Sequence, residues 1–282
     1  MAIGFAIASG LLLVLSFPKF GHPVLAWIAL VPLLVAVSGW NGRPGRLPGV
    51  RPLRALHLGL VAGVIYFAGT LYWTGQVIQT FGGIPTPVAV VGVVLLGVYQ
   101  GAFPALAAVC VARIVARAGV LGLALAPAAW VATEFGRGTV FGGFPWVLLG
   151  SSQATVTPII QVASVLGVYG VSGLVALVNA AIAVAMVSSG RIRVAAVTVG
   201  AVVFTTAAVW GALRVADGDL TRTGTPVRVG LVQGNIAQQD KWRADEAPRI
   251  LEAYLALTRE VVRQGAQFVV WPESAKIGRA HV

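Results

Sequence analysis

Between Met1 and Ala216 the chain carries one acidic residue, Glu134; the other eight lie from Asp217 onward. Only 10% of all residues are charged and 57% are hydrophobic, with a mean hydropathy of +0.87. Soluble domains average roughly 25% charged residues. The first part of this chain therefore folds in a solvent that penalises charge, which is the interior of a bilayer.

Apolar runs cover residues 2–17, 24–37, 56–74, 88–111, 120–133, 159–187 and 194–215. Several approach or exceed the roughly 20 residues that cross a hydrocarbon core. The reading is a polytopic α-helical membrane domain of about seven helices over residues 1–216, then a polar linker at 217–225. Pro18 to Pro23 separates the first two runs as a tight turn. Gly97 and Gly101, and likewise Gly59 and Gly63, have the spacing that lets membrane helices approach closely. The long sixth run is expected to bend at Gly167, Gly170 or Gly173.

The net charge is +11, and 17 of the 20 basic residues are arginines. Those before residue 220 sit mostly in short gaps between apolar runs rather than along one face that could track phosphates. No nucleic-acid partner is expected. With the N-terminus inside, inner loops hold Arg43, Arg46, Arg51, Arg54, Arg113, Arg117, Arg191 and Arg193, against Lys19, Arg137 and Arg214 outside. That bias places residues after Asp217 on the extracytoplasmic side. Cys110 is the only cysteine, so neither an internal disulfide nor a cysteine-rich zinc site is available. The first run has no basic stretch before it and reads as a retained helix, not a cleaved signal.

From Pro226 the pattern changes. Residues 226–232 alternate as a strand, with Val227, Val229 and Leu231 on one face. Residues 247–264 fit a helix capped by Asp245 and ended by Gly265, and residues 267–271 form a second strand. Strand, helix and strand make one βαβ unit with parallel strands. Glu273 would then stand just past the carboxyl end of a strand, where open α/β sheets place their sites. Residues 276–282 look foreign to the native chain, because residues 277–282 back-translate to a common sequencing-adapter sequence.

Several short motifs now occur together and in order. They are Thr80-Phe-Gly-Gly-Ile-Pro85, Pro127-Ala-Ala-Trp130, Thr133-Glu-Phe-Gly-Arg137, Gly143-Phe-Pro-Trp146, Val229-Gly-Leu-Val-Gln-Gly-Asn235, Lys241-Trp242 and Val270-Trp-Pro-Glu-Ser-Ala275. Each is weak alone. As a set they resemble bacterial apolipoprotein N-acyltransferases, C-terminally truncated here.

The resemblance implies that residues 226–275 begin a nitrilase-like (CN hydrolase) domain. It implies an enzyme of the bacterial cytoplasmic membrane that moves an acyl chain from a phospholipid to the N-terminal amine of a diacylglyceryl-cysteine lipoprotein. Its expected partners are that phospholipid acyl donor, the diacylated lipoprotein acceptor and membrane lipid; no cofactor is expected.

In the family a Glu, a Lys and a Cys act together, the Cys forming an acyl thioester. Glu273 matches the Glu. Lys241 and Lys276 do not match the Lys, and Cys110 lies in a membrane run. This polypeptide by itself is therefore expected to be inactive. The resemblance also offers Trp242 as a substrate contact, and the place of Phe144 and Trp146 on the outer side, facing the soluble part, suggests a lip where lipid enters. Each aromatic also has a plain reading as a core or interfacial anchor. Glu134 and Arg137, three residues apart, read first as a local ion pair.

Two other functions fit part of the chain. A membrane-tethered amidase or nitrilase-type hydrolase would share the soluble start but has no need of so many spans. A non-enzymatic transporter would be expected to carry inverted repeats or mid-membrane charges, and neither is visible.

Overall fold

A computed structural model describes residues 1–43, 47–218, 222–241 and 243–272. The chain forms two compact units, Met1–Gly218 and Asp219–Val282.

The first unit is helical. Its elements are α1 (Ala2–Leu15), α2 (Ala26–Ala29), α3 (Val31–Ser38), α4 (Pro52–Leu71), α5 (Trp73–Gly82), α6 (Thr86–Ala118), α7 (Ala126–Arg137), α8 (Thr157–Ile160), α9 (Ala163–Val187) and α10 (Gly190–Asp217). Four segments among the described residues are long and apolar enough to cross a membrane: Pro52–Leu71, Thr86–Arg137, Ala163–Val187 and Gly190–Asp217. At Gly119, with φ +63°, α6 gives way to a 3-10 turn, and both that turn and α7 fold back onto α6.

The first two apolar runs make shorter helices. The second is broken rather than continuous, and Pro32 is the cause, since a proline inside a helix removes an N–H and crowds the preceding turn. Other helices satisfy the backbone that the break exposes. Leu30 N–H donates to Asn179 Oδ1 at 2.8 Å, and Leu33 N–H donates to Ser9 Oγ at 2.8 Å. Asn179 Nδ2 in turn donates to the carbonyls of Ala26 and Val175. Without water, irregular backbone at membrane depth persists only where protein supplies such partners.

The glycine pairs expected to bring helices together act unequally. A Cβ on Gly63 would lie 2.7 Å from Gly101 Cα, and one on Gly59 would lie 2.6 Å from Ala105 Cα. So α4 and α6 touch backbone to backbone along that line. Gly97 is looser, its nearest neighbour being Ala68 N at 3.7 Å. The sixth run bends at Gly167, where φ is +64°, a value that favours glycine. Between the apolar runs 56–74 and 88–111 the chain forms the helix α5, which ends at Gly83 in the left-handed conformation.

The second unit contains β1 (Val229–Leu231), α11 (Ala247–Arg263) and β2 (Phe268–Val270). The strands are parallel, with Val229 opposite Phe268 and Leu231 opposite Val270. Helix α11 covers one sheet face, and Val232, Ile250 and Tyr254 are buried there. Gly230 permits this close approach, since a Cβ would lie 2.8 Å from Val261. The alternating residues Val227, Val229 and Leu231 are on the opposite, exposed face. Asp245 does not cap α11; it pairs with Arg243, and the capping position is Glu246, without a side-chain cap.

Candidate functional site

The first candidate region follows α7. Glu134 and Arg137 sit in the last turns of that helix, and both are buried. They do not form the ion pair that their spacing suggests. All ion pairs among the described residues lie in the second unit. Each residue instead holds the loop that follows. Glu134 Oε1 accepts from Leu149 N–H at 2.7 Å. Arg137 Nη1 donates to the carbonyls of Trp146 at 2.5 Å and Phe144 at 3.3 Å, and Nη2 donates to Val147 O at 3.2 Å. The guanidinium also lies over the Phe67 ring, 4.9 Å from its centroid. Tyr66 Oη donates to the same Val147 carbonyl at 2.6 Å, and Ser172 Oγ accepts from Gly150 N–H at 2.8 Å.

This clamp is a physical alternative to hydration. The loop has irregular backbone, with Phe141 and Val147 at positive φ, so its carbonyls have no regular helical partners. Arginine offers five N–H donors in a fixed fork and suits several carbonyls at once.

The clamped loop presents Phe144 and Trp146. Their rings lie 5.8 Å apart, and Trp146 stacks on Trp73 of α5 at 5.0 Å with 23° between planes. Trp146 is half exposed. The structure thus brings Phe144 and Trp146 into one aromatic cluster and adds Trp73. No motif flagged Trp73, because a Trp at the end of an apolar run reads as an interfacial anchor.

The second candidate region is at the carboxyl ends of the parallel strands. A cleft of about 510 Å³ opens there, lined by Gln233, Gly234, Asn235, Tyr254, Trp271 and Pro272, with Lys241 at its margin. Asn235 turns the chain with φ +49°, a left-handed value that asparagine tolerates. Tyr254 stacks on Trp271 at 5.1 Å, and Trp271 Nε1 donates to Thr258 Oγ1 at 2.9 Å, so the cleft wall is fixed on both sides. Glu273 and Trp242 lie outside the described residues. Each immediately follows a residue of the cleft lining, Pro272 and Lys241 respectively.

Comparison with known proteins gives the family. Residues 9–181 match the family model described as the apolipoprotein N-acyltransferase N-terminal domain. This chain belongs to the apolipoprotein N-acyltransferase family. It is 37% identical over 278 residues to an apolipoprotein N-acyltransferase of Geobacter metallireducens, covering 96% of this chain and 50% of the relative. Proteins of the same name from Shewanella oneidensis and Methylococcus capsulatus are each 32% identical, over 90% and 96% of this chain and 46% and 50% of theirs. The chain thus spans about half the length of the curated relatives it matches.

Membership and the long apolar helices together make this a bacterial membrane protein. The family match contains Tyr66, Trp73, Glu134, Arg137, Phe144 and Trp146, so the whole clamp lies within it.

Proposed function

We propose that this chain supplies the membrane domain and the first βαβ unit of an enzyme that N-acylates lipoproteins. An acyl chain leaves a phospholipid, is held as a thioester, and passes to the N-terminal amine of a diacylglyceryl-cysteine. Two half-reactions through a thiolate replace one difficult acyl transfer. Glu273 is the general base: it takes the thiol proton and passes it to the departing lysophospholipid oxygen, then takes a proton from the attacking amine and returns it to the departing thiolate. The observation that carries this reading is the cleft at the carboxyl ends of β1 and β2, bounded by Pro272 next to Glu273. Parallel α/β sheets gather their chemistry at that edge.

In this reading Trp242 contacts substrate, and Phe144 and Trp146 contact acyl chains at the membrane surface. Residues 226–275 begin a nitrilase-like domain on the extracytoplasmic side. The exposed apolar face of Val227, Val229 and Leu231 supports that assignment, because such a face is covered in a complete layered fold. Cys110 lies on α6, in a membrane-spanning segment, and is not the acyl carrier. The 282-residue chain therefore lacks the nucleophile and does not acylate by itself.

The test is a two-arm acylation assay in detergent–phospholipid micelles with a diacylated lipopeptide. One arm contains this chain; the other contains the gene product extended past Ala275 through the native reading frame, with and without Glu273→Gln. The reading predicts no product from the first arm and product from the second, lost in the variant. Product from the first arm, or undiminished product with Glu273→Gln, refutes it.

A further inference from the structure

At the end of α9 remote from the clamp, α9 and α10 diverge around a groove of about 450 Å³. Val178, Ala181, Ala185, Val197 and Ala201 give it apolar walls, and Arg193 stands at one end. Arg193 Nε donates to the carbonyls of Ala185 and Ser188 at 2.9 and 3.0 Å. Its Nη hydrogens have no acceptor among the described residues, so the guanidinium is anchored by one edge and free at the other. Arg191 adds a second positive charge at the same helix end. The first unit holds only two carboxylates among its described residues: Glu134 is buried in the clamp, and Asp217 is at the far end of α10.

The groove has the proportions of one leaflet. From Arg193 to Gly200 the helix rises about 10 Å at 1.5 Å per residue, against roughly 15 Å for half a hydrocarbon core. It closes where the helices meet, since a Cβ on Gly200 would lie 2.9 Å from Ala181 Cβ. Only 6% of the apolar window of α10 is buried, so the described residues leave this side of the hairpin open.

We infer that this groove binds one anionic phospholipid of the leaflet at the α9–α10 turn, its phosphate on the free edge of Arg193 and its acyl chain against Ala181, Ala185 and Ala201. Basic pockets between membrane helices take acidic lipid headgroups for this reason. The site is separate from the clamp. Ser172 and Ala185 are thirteen residues apart on α9, about 20 Å along the helix. The lipid here is a structural ligand of the hairpin and not the acyl donor.

Native mass spectrometry of the 282-residue chain in detergent, titrated with phosphatidylglycerol or phosphatidylcholine, tests this. One phosphatidylglycerol should be retained in preference to phosphatidylcholine. Arg193→Gln should weaken that retention about fivefold, the loss of one basic contact at a membrane surface. Because Arg193 also ties down the α9–α10 turn, a second variant is needed. Ala201→Phe fills the groove, leaves both arginines in place, and should lower retention of both lipids. Equal binding of the two lipids by the wild type, or retention unchanged in both variants, overturns the site.

Discussion

Replacing Arg137 with Met keeps a long apolar stem on α7 but removes every donor that Arg137 gives the clamp. Three carbonyls lose a partner. Val147 O keeps Tyr66 Oη at 2.6 Å, so it is not orphaned. The carbonyls of Phe144 and Trp146 are left without the Arg137 hydrogen bonds. An orphaned buried acceptor costs about 1–3 kcal/mol, and the lost contact with the Phe67 face adds about 0.5–2 kcal/mol. Trp146 is half exposed, so its share lies at the low end. The expected destabilisation is about 3 kcal/mol, within the usual range for breaking a buried hydrogen-bond network.

Arg137→Lys should recover less than half of this, because one ammonium cannot span three carbonyls as a planar fork does. The assay is thermal unfolding in detergent, followed in parallel by near-UV circular dichroism. The stacked Trp73–Trp146 pair reports on the loop separately from global unfolding. A clamp role requires the aromatic signal to fall before the helices melt. Arg137→Met with unchanged melting and an unchanged aromatic signal would show that the loop holds itself and that the arginine is incidental.

Three other substitutions probe the remaining framework. Glu134→Gln should cost less than about 1 kcal/mol, since the amide oxygen can still accept from Leu149 N–H, whereas Glu134→Leu should cost about 1–3 kcal/mol by leaving that donor unpaired; equal melting temperatures for the two would mean that charge, not hydrogen bonding, is what matters. Gly63→Val should destabilise by about 1–3 kcal/mol through overpacking, and Gly97→Ala should be near neutral because its nearest neighbour is 3.7 Å away; the reverse order in a detergent melt would contradict the α4–α6 contact. Asn179→Leu should lower stability by about 1–2 kcal/mol, the range for polar contacts between membrane helices, and should speed proteolysis near the α2–α3 break.

Much of the architecture follows from local sequence. Apolar runs, loop prolines and glycine spacings identified the long helices and marked Gly59, Gly63 and Gly101 as packing positions, though not which helices they join. The strand–helix–strand order after Pro226 emerged because alternation and helical periodicity differ sharply there. Other features depend on partners far along the chain. The break at Leu30 and Val31 is tolerable only because Ser9 and Asn179 supply hydrogen bonds from distant helices. Glu134 and Arg137 matched an i, i+3 ion pair, yet each found a stronger claim in the loop ahead. Trp73 joined Trp146 across more than seventy residues, a pairing that no periodicity encodes.

These cases share a cause that explains where a nearly acid-free helical unit keeps its polar side chains. A regular helix satisfies its own backbone and asks nothing of its neighbours. A break does not, and in hydrocarbon no water can take over. Ser9 and Asn179 serve the opening at Pro32. Gln153 accepts from Trp27 Nε1 and donates to Pro23 O, which serves the irregular segment before α2. Glu134, Arg137, Tyr66 and Ser172 serve the loop after α7. Charge is buried at the last of these, where the loop is longest and its carbonyls most numerous. A guanidinium that meets three carbonyls is better solvated there than one neutral donor per carbonyl could achieve in the same volume. The single acid of the span therefore marks irregular backbone, the loop that carries Phe144 and Trp146.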